Sequence, residues 1–257
     1  MSDKKEPLNP ISETFRDITV PRLIRSTWTV FRRISSLQGT KAALRVLPIV
    51  WIIIRSVRGL SRFHAAEFER NRVGSVPEDA EEAALTQDEY EEYRQLGAWL
   101  KNKLHALGPT FIKIGQTLST RADLMPLPAM LELAKLQENV ACFELEVARK
   151  IIFRELGAYP EELYDQFDPQ PLAAASLAQA YKAVLRDGRE VVVKVQRPGL
   201  PQIIARDVQI LAAIADEVME YPNLCRHTDW PGVVEEFART IFEEIDYIRE
   251  GRNADTF

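Results

Sequence analysis

A short hairpin signal in the middle of a mainly helical sequence limits the folds open to this chain. Residues 178–185 (AQAYKAVL) and 190–196 (EVVVKVQ) have the composition of strands, and Asp187-Gly188 between them is a strong turn signal. On either side, apolar residues recur at steps of three and four, which is the spacing of an amphipathic helix. The sequence therefore predicts an α+β fold with a small antiparallel sheet.

Helices are predicted on both sides of the hairpin. Residues 86–157 read as an all-helical block, in which Gly108-Pro109 ends one helix and opens the next. After the hairpin, one helix follows Pro201, and a last helix is capped by Asp229. The apolar stripe of this last helix consists of Val234, Phe237, Ile241, Ile245 and Ile248.

The charge distribution divides the chain into parts. The 257 residues carry a formal charge of −5, but residues 1–72 hold 14 Lys and Arg against 6 Asp and Glu, a local charge of +8. The acidic stretch that follows is typical of a solvated linker or an exposed helix start. We expect a basic, partly apolar segment at 1–73, the acidic linker or helix start at 74–92, a helical region at 93–157 and the hairpin-bearing part at 158–257.

An apolar run at residues 42–54 (AALRVLPIVWIII) raises the question of a membrane. The run is shorter than the ~20 apolar residues of a spanning helix and begins too late for a signal peptide. Arginines flank it, which fits a helix in a membrane interface, but a buried helix is the interpretation that we favour. Cys142 and Cys225 are too few for a disulfide framework and indicate a reducing, intracellular compartment.

Lys194 is the first residue that predicts chemistry. It shares a strand face with Val192 in a strand that reads as largely buried, so its ammonium group needs an anionic partner. The preceding residues 171–179 form a small-residue loop, which lets backbone N–H groups approach phosphate oxygens. Kinases combine such a loop with a lysine on the third strand. An edge strand with a solvent-facing lysine and an ordinary tight turn are the alternatives.

Two polar stripes lie on predicted helices. Lys113 and Gln116 are three residues apart on one helical face, and Gly115 between them indicates a close approach of another group. The last helix carries acidic residues at spacings of three and four, which a cation such as Lys113 or Lys194 would offset. A solvated polar face and an exposed acidic face are the alternatives. The acidic residues are Glu243, Asp246 and Glu250, with Glu244 on an adjacent face.

Taken together, three segments resemble the AarF/UbiB-type atypical kinase-like family. They are residues 107–126 (LGPTFIKIGQTLSTRADLMP), 171–199 (PLAAASLAQAYKAVLRDGREVVVKVQRPG) and 243–253 (EEIDYIREGRN). The resemblance extends over residues 86–257. It implies a protein-kinase-like N-lobe, at 158–257, with signature helices added on its N-terminal side.

The resemblance implies a nucleotide site. An alanine-rich loop replaces the glycine-rich loop of kinases, and Lys194 is the third-strand lysine. Glu250 is the expected ion-pair partner of Lys194, with Glu244 as the alternative. The residues expected to bind nucleotide are Ala173, Ala174, Ala175, Ser176 and Lys194.

The resemblance also implies a gate. Lys113, Gly115 and Gln116 belong to a signature helix that folds over the nucleotide pocket and is expected to block protein substrates. Glu244 and Asp246 form the Glu-x-Asp signature, and we expect Lys113 and Gln116 to meet them.

The implied function is that of a kinase or ATPase that binds ATP with Mg²⁺ and supports isoprenoid-quinone or related lipid metabolism. The implied partners are ATP or ADP and a membrane surface or isoprenoid lipid, contacted peripherally from the cytoplasmic side, and a homodimer is one option. Nucleic acid is not an expected partner, because the body is acidic and has no basic stripe interleaved with aromatics. Metal-binding side chains are not expected either, because the histidines are scattered along the chain.

The catalytic lobe of a kinase supplies a catalytic aspartate and metal ligands, including Asp-Phe-Gly. Neither Asp-Phe-Gly nor His-Arg-Asp occurs in this sequence. We therefore expect the C-lobe and all catalytic residues to be missing, and the 257-residue polypeptide alone to lack kinase or ATPase activity. We favour a fragment of a longer protein. The alternatives are a genuine short product that acts as a non-catalytic nucleotide- or lipid-binding regulatory module, and a helical membrane-surface scaffold.

Overall fold

The computed structural model describes residues 19–73, 85–137, 141–225 and 228–254, which form a mostly helical structure with one small sheet. The first group of helices is α1 (Val20–Gln38), α2 (Thr40–Ala43), α3 (Val46–Val73), α4 (Gln87–Leu107), α5 (Pro109–Leu118), α6 (Leu127–Ala134), α7 (Leu145–Leu156) and α8 (Pro160–Leu163). The sheet and the helices after it are β1 (Gln166–Ala174), β2 (Ala178–Val184), β3 (Glu190–Gln196), α9 (Leu200–Val218), α10 (Pro222–Cys225), α11 (Trp230–Glu244) and α12 (Tyr247–Ala254).

The three strands form an antiparallel sheet in the order β1-β2-β3. The predicted hairpin is confirmed, because β2 pairs with β3 from Ala178–Gln196 to Val184–Glu190 around the turn. Gly188 has a φ of 84° there, in the left-handed region that glycine adopts without strain. The α+β prediction with a small antiparallel sheet is therefore confirmed for the described residues.

The predicted loop at 171–179 is wrong for its first half. Residues up to Ala174 belong to β1, which pairs with β2, and only the few residues after Ala174 form the turn. Proline usually excludes a segment from a central strand. β1 accommodates Pro171 because it is an edge strand whose register shifts on both sides of that residue.

One large apolar cluster joins helices from both halves of the chain. Side chains from α1, α2 and α3 pack with those of α4, α5, α6 and α9 in the same cluster. Gly97 of α4 lies against the backbone of Ala129 in α6, so a Cβ atom there would come within 2.6 Å of the Ala129 Cα. The expected linker at 74–92 is described only in part. Residues 74–84 lie outside the described residues, and Thr86 and Glu89 form a capping box that starts α4.

The apolar run at 42–54 has a buried side and an exposed side. Ala42, Ala43, Val46, Ile49 and Ile52 are buried in the large cluster, whereas Leu44, Leu47, Trp51 and Ile53 are exposed. No helix in the described part of the chain is both long and apolar enough to cross a membrane.

The predicted last helix is in fact two helices. α11 begins at Trp230, where Asp229 Oδ1 accepts a hydrogen bond from the Gly232 N–H at 3.2 Å, and ends at Glu244. α12 begins at Tyr247, and Asp246 Oδ1 accepts from the Arg249 N–H at 3.1 Å. The predicted continuous stripes are therefore wrong: Ile248 is 71% exposed, and the acidic residues divide between two helices.

Candidate functional site

Lys194 lies on β3 and forms an ion pair with Glu250 on α12. The Lys194 Nζ is 2.7 Å from Glu250 Oε2 and 2.9 Å from Oε1, so both carboxylate oxygens accept hydrogen bonds from it. The expected burial of this strand face is wrong, because Val192 is 61% exposed and the Lys194 side chain 42%. The pair therefore lies at an open face of the sheet, where a ligand can reach the ammonium group.

Gln196 fixes the start of α12 against the sheet. It lies two residues after Lys194, on the same face of β3, and its Nε2 donates to the Ile245 carbonyl oxygen at 2.9 Å. Ile245 is the residue that follows the end of α11, its C-cap. β3 therefore supplies two neighbouring contacts, one to the helix break and one to Glu250 beyond it.

Tyr247 is a residue of this site that the sequence analysis missed. The Lys194 Nζ lies 4.4 Å from the centroid of its ring, a distance at which a cation is attracted by the aromatic face. Burial, together with the smaller effects of the nearby Glu250 and Glu244 carboxylates, raises the pKa of Tyr247 to about 12. A signal for it existed in the sequence, since Tyr247 and Glu250 are three residues apart and share a helical face.

Lys113 on α5 forms a second ion pair, with Glu244 at the end of α11. The Lys113 Nζ lies 2.6 Å from Glu244 Oε1. Lys113 therefore forms its ion pair with Glu244, whereas Lys194 forms its ion pair with Glu250. The structure thus brings the first signature helix and the acidic motif together through one pair of side chains.

Gln116 and Asp246 do not take the places expected from the sequence. The Gln116 Nε2 donates to the Leu136 carbonyl oxygen at 3.5 Å, because this face of α5 points toward the turn after α6. Asp246 caps α12 through the Arg249 N–H. Within the described residues, neither side chain meets the partner predicted for it. Gly115 does show the predicted close approach, since it is buried against Leu104 and Leu136.

The alanine-rich turn is only partly open. Ala173 and Ala175 are exposed and Ala174 is half-buried, but Ser176 is 5% exposed and faces the protein. The Ala175 N–H donates to the Ala178 carbonyl oxygen at 2.8 Å, which closes the turn. Ala173, near the end of β1, and Ala175, in the turn, are therefore the exposed residues of this segment that a ligand can approach.

Arg197, which the sequence does not single out, anchors the alanine-rich turn through hydrogen bonds to backbone carbonyl oxygens. Its Nε donates to the Ala175 carbonyl oxygen at 3.0 Å and its Nη2 to the Ala141 carbonyl oxygen at 2.8 Å. Its backbone N–H donates to the Leu177 carbonyl oxygen at 3.0 Å. Burial lowers the pKa of the Arg197 guanidinium, although it stays charged at neutral pH. These contacts tie the turn to the end of β3.

Comparison with known proteins places this region in a family. Residues 135–257 match the sequence profile of the ABC1 atypical kinase-like domain. "Uncharacterized protein sll1770" of Synechocystis sp. (strain ATCC 27184 / PCC 6803 / Kazusa) is 50% identical over 164 residues, which is 64% of this chain and 28% of that protein. "Protein ACTIVITY OF BC1 COMPLEX KINASE 7, chloroplastic" of Arabidopsis thaliana is 46% identical over 64% of this chain and 24% of its own length.

A bacterial relative has a similar match. "Probable protein kinase UbiB" of Pseudomonas fluorescens (strain Pf0-1) is 45% identical over 62% of this chain and 30% of that protein. A solved structure, the Rv3197–erythromycin complex from Mycobacterium tuberculosis, is 29% identical and covers 52% of this chain and 34% of that chain, with a TM-score of 0.36. The chain spans less than a third of the length of these three relatives. Residues 135–257 thus carry an ABC1 atypical kinase-like domain, and these relatives support its place in the AarF/UbiB family.

Proposed function

We propose that this chain supplies the nucleotide-binding N-lobe of an ABC1-type atypical kinase or ATPase. The observation that carries the proposal is the ion pair between Lys194 on β3 and Glu250 on α12, at 2.7 Å on an open face of the sheet. In kinases a third-strand lysine, held by a helix glutamate, pairs the α- and β-phosphates of ATP. The exposed residues Ala173 and Ala175 would lie along the same phosphates.

The described residues offer a partner for the phosphates of ATP, but they do not form a cluster of ligands for Mg²⁺. A lysine ammonium at a partly exposed site is a suitable partner for phosphate oxygens, because charge-assisted hydrogen bonds are the strong ones. In the described ranges, no three acidic, histidine or cysteine side chains are grouped closely enough to hold a metal ion. We therefore propose that Mg²⁺ is carried by the nucleotide phosphates at this lobe, while Lys194 binds and orients the phosphates.

Nucleotide binding can be tested with a matched pair of lysine variants. Lys194→Met removes the proposed phosphate contact, so we expect the Kd for a fluorescent ATP analogue to rise about tenfold or more. Lys182→Met on β2 is the control, since Lys182 is also a partly exposed lysine on the sheet and pairs with Glu190 at 2.8 Å. Its Kd should stay within about twofold of the wild type, because surface ion pairs contribute little. Equal affinities of wild type and Lys194→Met would contradict the proposal.

We infer that these residues bind nucleotide without transferring the phosphoryl group by themselves. Phosphoryl transfer needs a positioned base and metal ligands, and the Asp-Phe-Gly and His-Arg-Asp motifs that supply them in kinases do not occur in the sequence. The names of the relatives point to a kinase-like role, and the resemblance to the UbiB group points to isoprenoid-quinone metabolism. A non-catalytic nucleotide-binding regulatory module is the alternative, and steady ATP turnover by the 257-residue protein would exclude both.

A membrane contact is proposed for the N-terminal helices on a separate observation. Residues 20–60 contain eight Lys and Arg and no Asp or Glu. Leu47 and Trp51 lie four residues apart on α3, so they share one helical side, and Leu44 lies in the turn before α3; each is about half exposed, and together they form an exposed apolar patch. Basic residues around exposed apolar and aromatic side chains are the features of an interfacial lipid contact. A cavity of about 260 Å³ between α1, α3 and α9, with mostly apolar walls, is large enough for part of a lipid chain.

Vesicle co-sedimentation tests this contact. We expect the chain to bind vesicles that contain anionic phospholipid and to bind neutral vesicles more weakly, with Leu47→Glu lowering the apparent affinity about tenfold through loss of one inserted side chain. Leu131→Glu is the matched control, because Leu131 on α6 is also half exposed but lies outside the patch. Similar losses for both variants would argue against a specific patch.

A further inference from the structure

We propose that Tyr247 is the positioning residue that holds the Lys194 ammonium group toward Glu250. The aromatic ring, rather than the phenol hydroxyl, carries this role. The inference rests on the proposed nucleotide-binding role of Lys194 for its functional meaning, but its structural content can be tested without any nucleotide.

The break between α11 and α12 places Tyr247 and Glu250 on one face. α12 begins at Tyr247, with Asp246 as its cap, and its first turn presents residues three apart on the same side. Gln196 holds the Ile245 carbonyl oxygen at 2.9 Å, so the start of α12 is fixed to the strand that carries Lys194. Tyr247 and Glu250 therefore approach Lys194 together, as one unit.

Lys194 is held between a carboxylate and a ring. Its Nζ is 2.7 Å from the Glu250 carboxylate and 4.4 Å from the Tyr247 ring centroid. The lysine side chain is 42% exposed, so the two contacts leave part of it open to solvent and to a ligand. A cation over an aromatic face keeps its charged form and loses rotational freedom. The ring thus fixes the ammonium group while one side remains available.

The hydroxyl itself does not explain the presence of a tyrosine. It is buried, and among the described residues no hydrogen-bond partner lies within reach of it. Removal of an unpartnered hydroxyl should leave the site intact, whereas removal of the ring should release the lysine. This difference separates Tyr247→Phe from Tyr247→Leu.

The test measures acylation of individual lysines by an amine-reactive reagent, followed by mass spectrometry of the full chain. Tyr247→Leu should raise the labelling rate of Lys194 about threefold, the factor that corresponds to loss of a partly exposed cation–π contact. Tyr247→Phe should label like the wild type. Lys182 on β2 is the internal control, and its labelling rate should not change in either variant. General loosening of the sheet would instead raise the labelling rates of both lysines.

A second readout needs no destabilising variant. Protein carrying ¹³C-methylated lysines should show an upfield, ring-induced NMR shift for Lys194 but not for Lys182, and Tyr247→Phe should retain it. Absence of the shift, or a Tyr247→Phe protein that labels as fast as Tyr247→Leu, would overturn the inference. The ATP analogue should bind Tyr247→Leu more weakly and Tyr247→Phe normally. If the wild type binds no nucleotide, the proposed function fails while the lysine measurements still decide the role of Tyr247.

Discussion

Gly115 lies on the side of α5 that packs against Leu104 and Leu136. A Cβ atom at Gly115 would clash with Leu136 Cδ1 and lie 2.8 Å from Leu104 Cδ1. Both leucines are buried in the large cluster, so their methyl groups cannot move aside freely. The glycine lets α5 approach this closely, and the Lys113 ammonium two residues earlier reaches Glu244 from that position.

A pair of glycine-to-alanine variants isolates this crowding. Alanine normally stabilises a helix by up to ~1 kcal/mol relative to glycine, and Gly251 on α12 has no atom within 4 Å of an added Cβ. Gly115→Ala has the same helical gain but must displace buried methyl groups. We expect its free energy of unfolding, from urea titration, to be about 1–3 kcal/mol lower than that of Gly251→Ala. Equal stabilities would show that the cluster adapts without cost.

At the residue scale, one contact of the candidate site follows from the resemblance to a family. Lys194 and Glu250 were paired from a motif, and the structure brings them together at 2.7 Å. Gln116 was given the wrong partner, because the side of α5 that faces α11 depends on how α5 packs, which the helical spacing does not state. The sequence does not single out Tyr247, because it predicts one continuous helix there. The structure instead begins a new helix at Tyr247.

At the scale of elements, the break between α11 and α12 decides where the acidic motif points. The break occurs after Glu244, where Ile245 is the C-cap of α11 and Asp246 caps α12. A single straight helix would put Glu243, Asp246 and Glu250 on one stripe. The break instead lets Glu250 face Lys194, while Glu243 pairs with Arg249 across the bend at 2.8 Å.

Loss of the cap at Asp246 should therefore affect more than stability. Asp246→Ala is expected to lower the free energy of unfolding by about 1 kcal/mol, the usual effect of an N-cap substitution, and to increase acylation of Lys194 because the start of α12 frays. Asp229→Ala removes the cap of α11 and should destabilise to a similar degree. Lys194 labelling should stay unchanged in Asp229→Ala. If both variants affect the lysine alike, the cap of α12 has no special role in positioning Glu250.

Elements were predictable where local signals were strong and unbroken. The hairpin and the start of α5 follow from Asp187-Gly188 and Gly108-Pro109. β1 was missed because two prolines interrupt its pattern, and only pairing with β2 makes it a strand. The break after α11 was hidden by apolar residues that continue at helical spacing through it, although Ile248 ends up exposed.

At the scale of the whole molecule, a buried ion pair joins the N-terminal helices to α9. Asp207 on α9 is fully buried, and its carboxylate lies 2.9 Å from Arg45, between α2 and α3. The Arg45 Nη2 also donates to the Leu107 carbonyl oxygen at the end of α4, at 2.8 Å. Burial raises the pKa of Asp207 above its usual range, although the nearby Arg45 charge acts in the opposite direction. Three separate segments meet at this one guanidinium group.

Removal of one partner of the Arg45–Asp207 pair should therefore destabilise the packing of the N-terminal helices against α9. Arg45→Met leaves the Asp207 carboxyl buried without its cation, and we expect a loss of about 3–5 kcal/mol in the free energy of unfolding. The double variant Arg45→Met/Asp207→Leu should recover most of that loss. Arg33→Met is the control, because the Arg33–Asp216 pair joins α1 to α9 at 2.6 Å but is half exposed and should contribute about 0–1 kcal/mol. A loss below that of Arg33→Met would contradict a structural role for the buried pair.

The strand order has a further consequence for how this sheet can grow. β1 lies at one edge, and Pro169 and Pro171 within it cannot donate to a neighbouring strand. β3 lies at the opposite edge, with no proline in its seven residues and, in the described ranges, no fourth strand beside it. Any additional strand, from the same polypeptide or from another, would therefore join more readily beside β3. The sheet can therefore be extended more readily at one of its two edges. With a strand added there, β3, which carries Lys194, would become an internal strand.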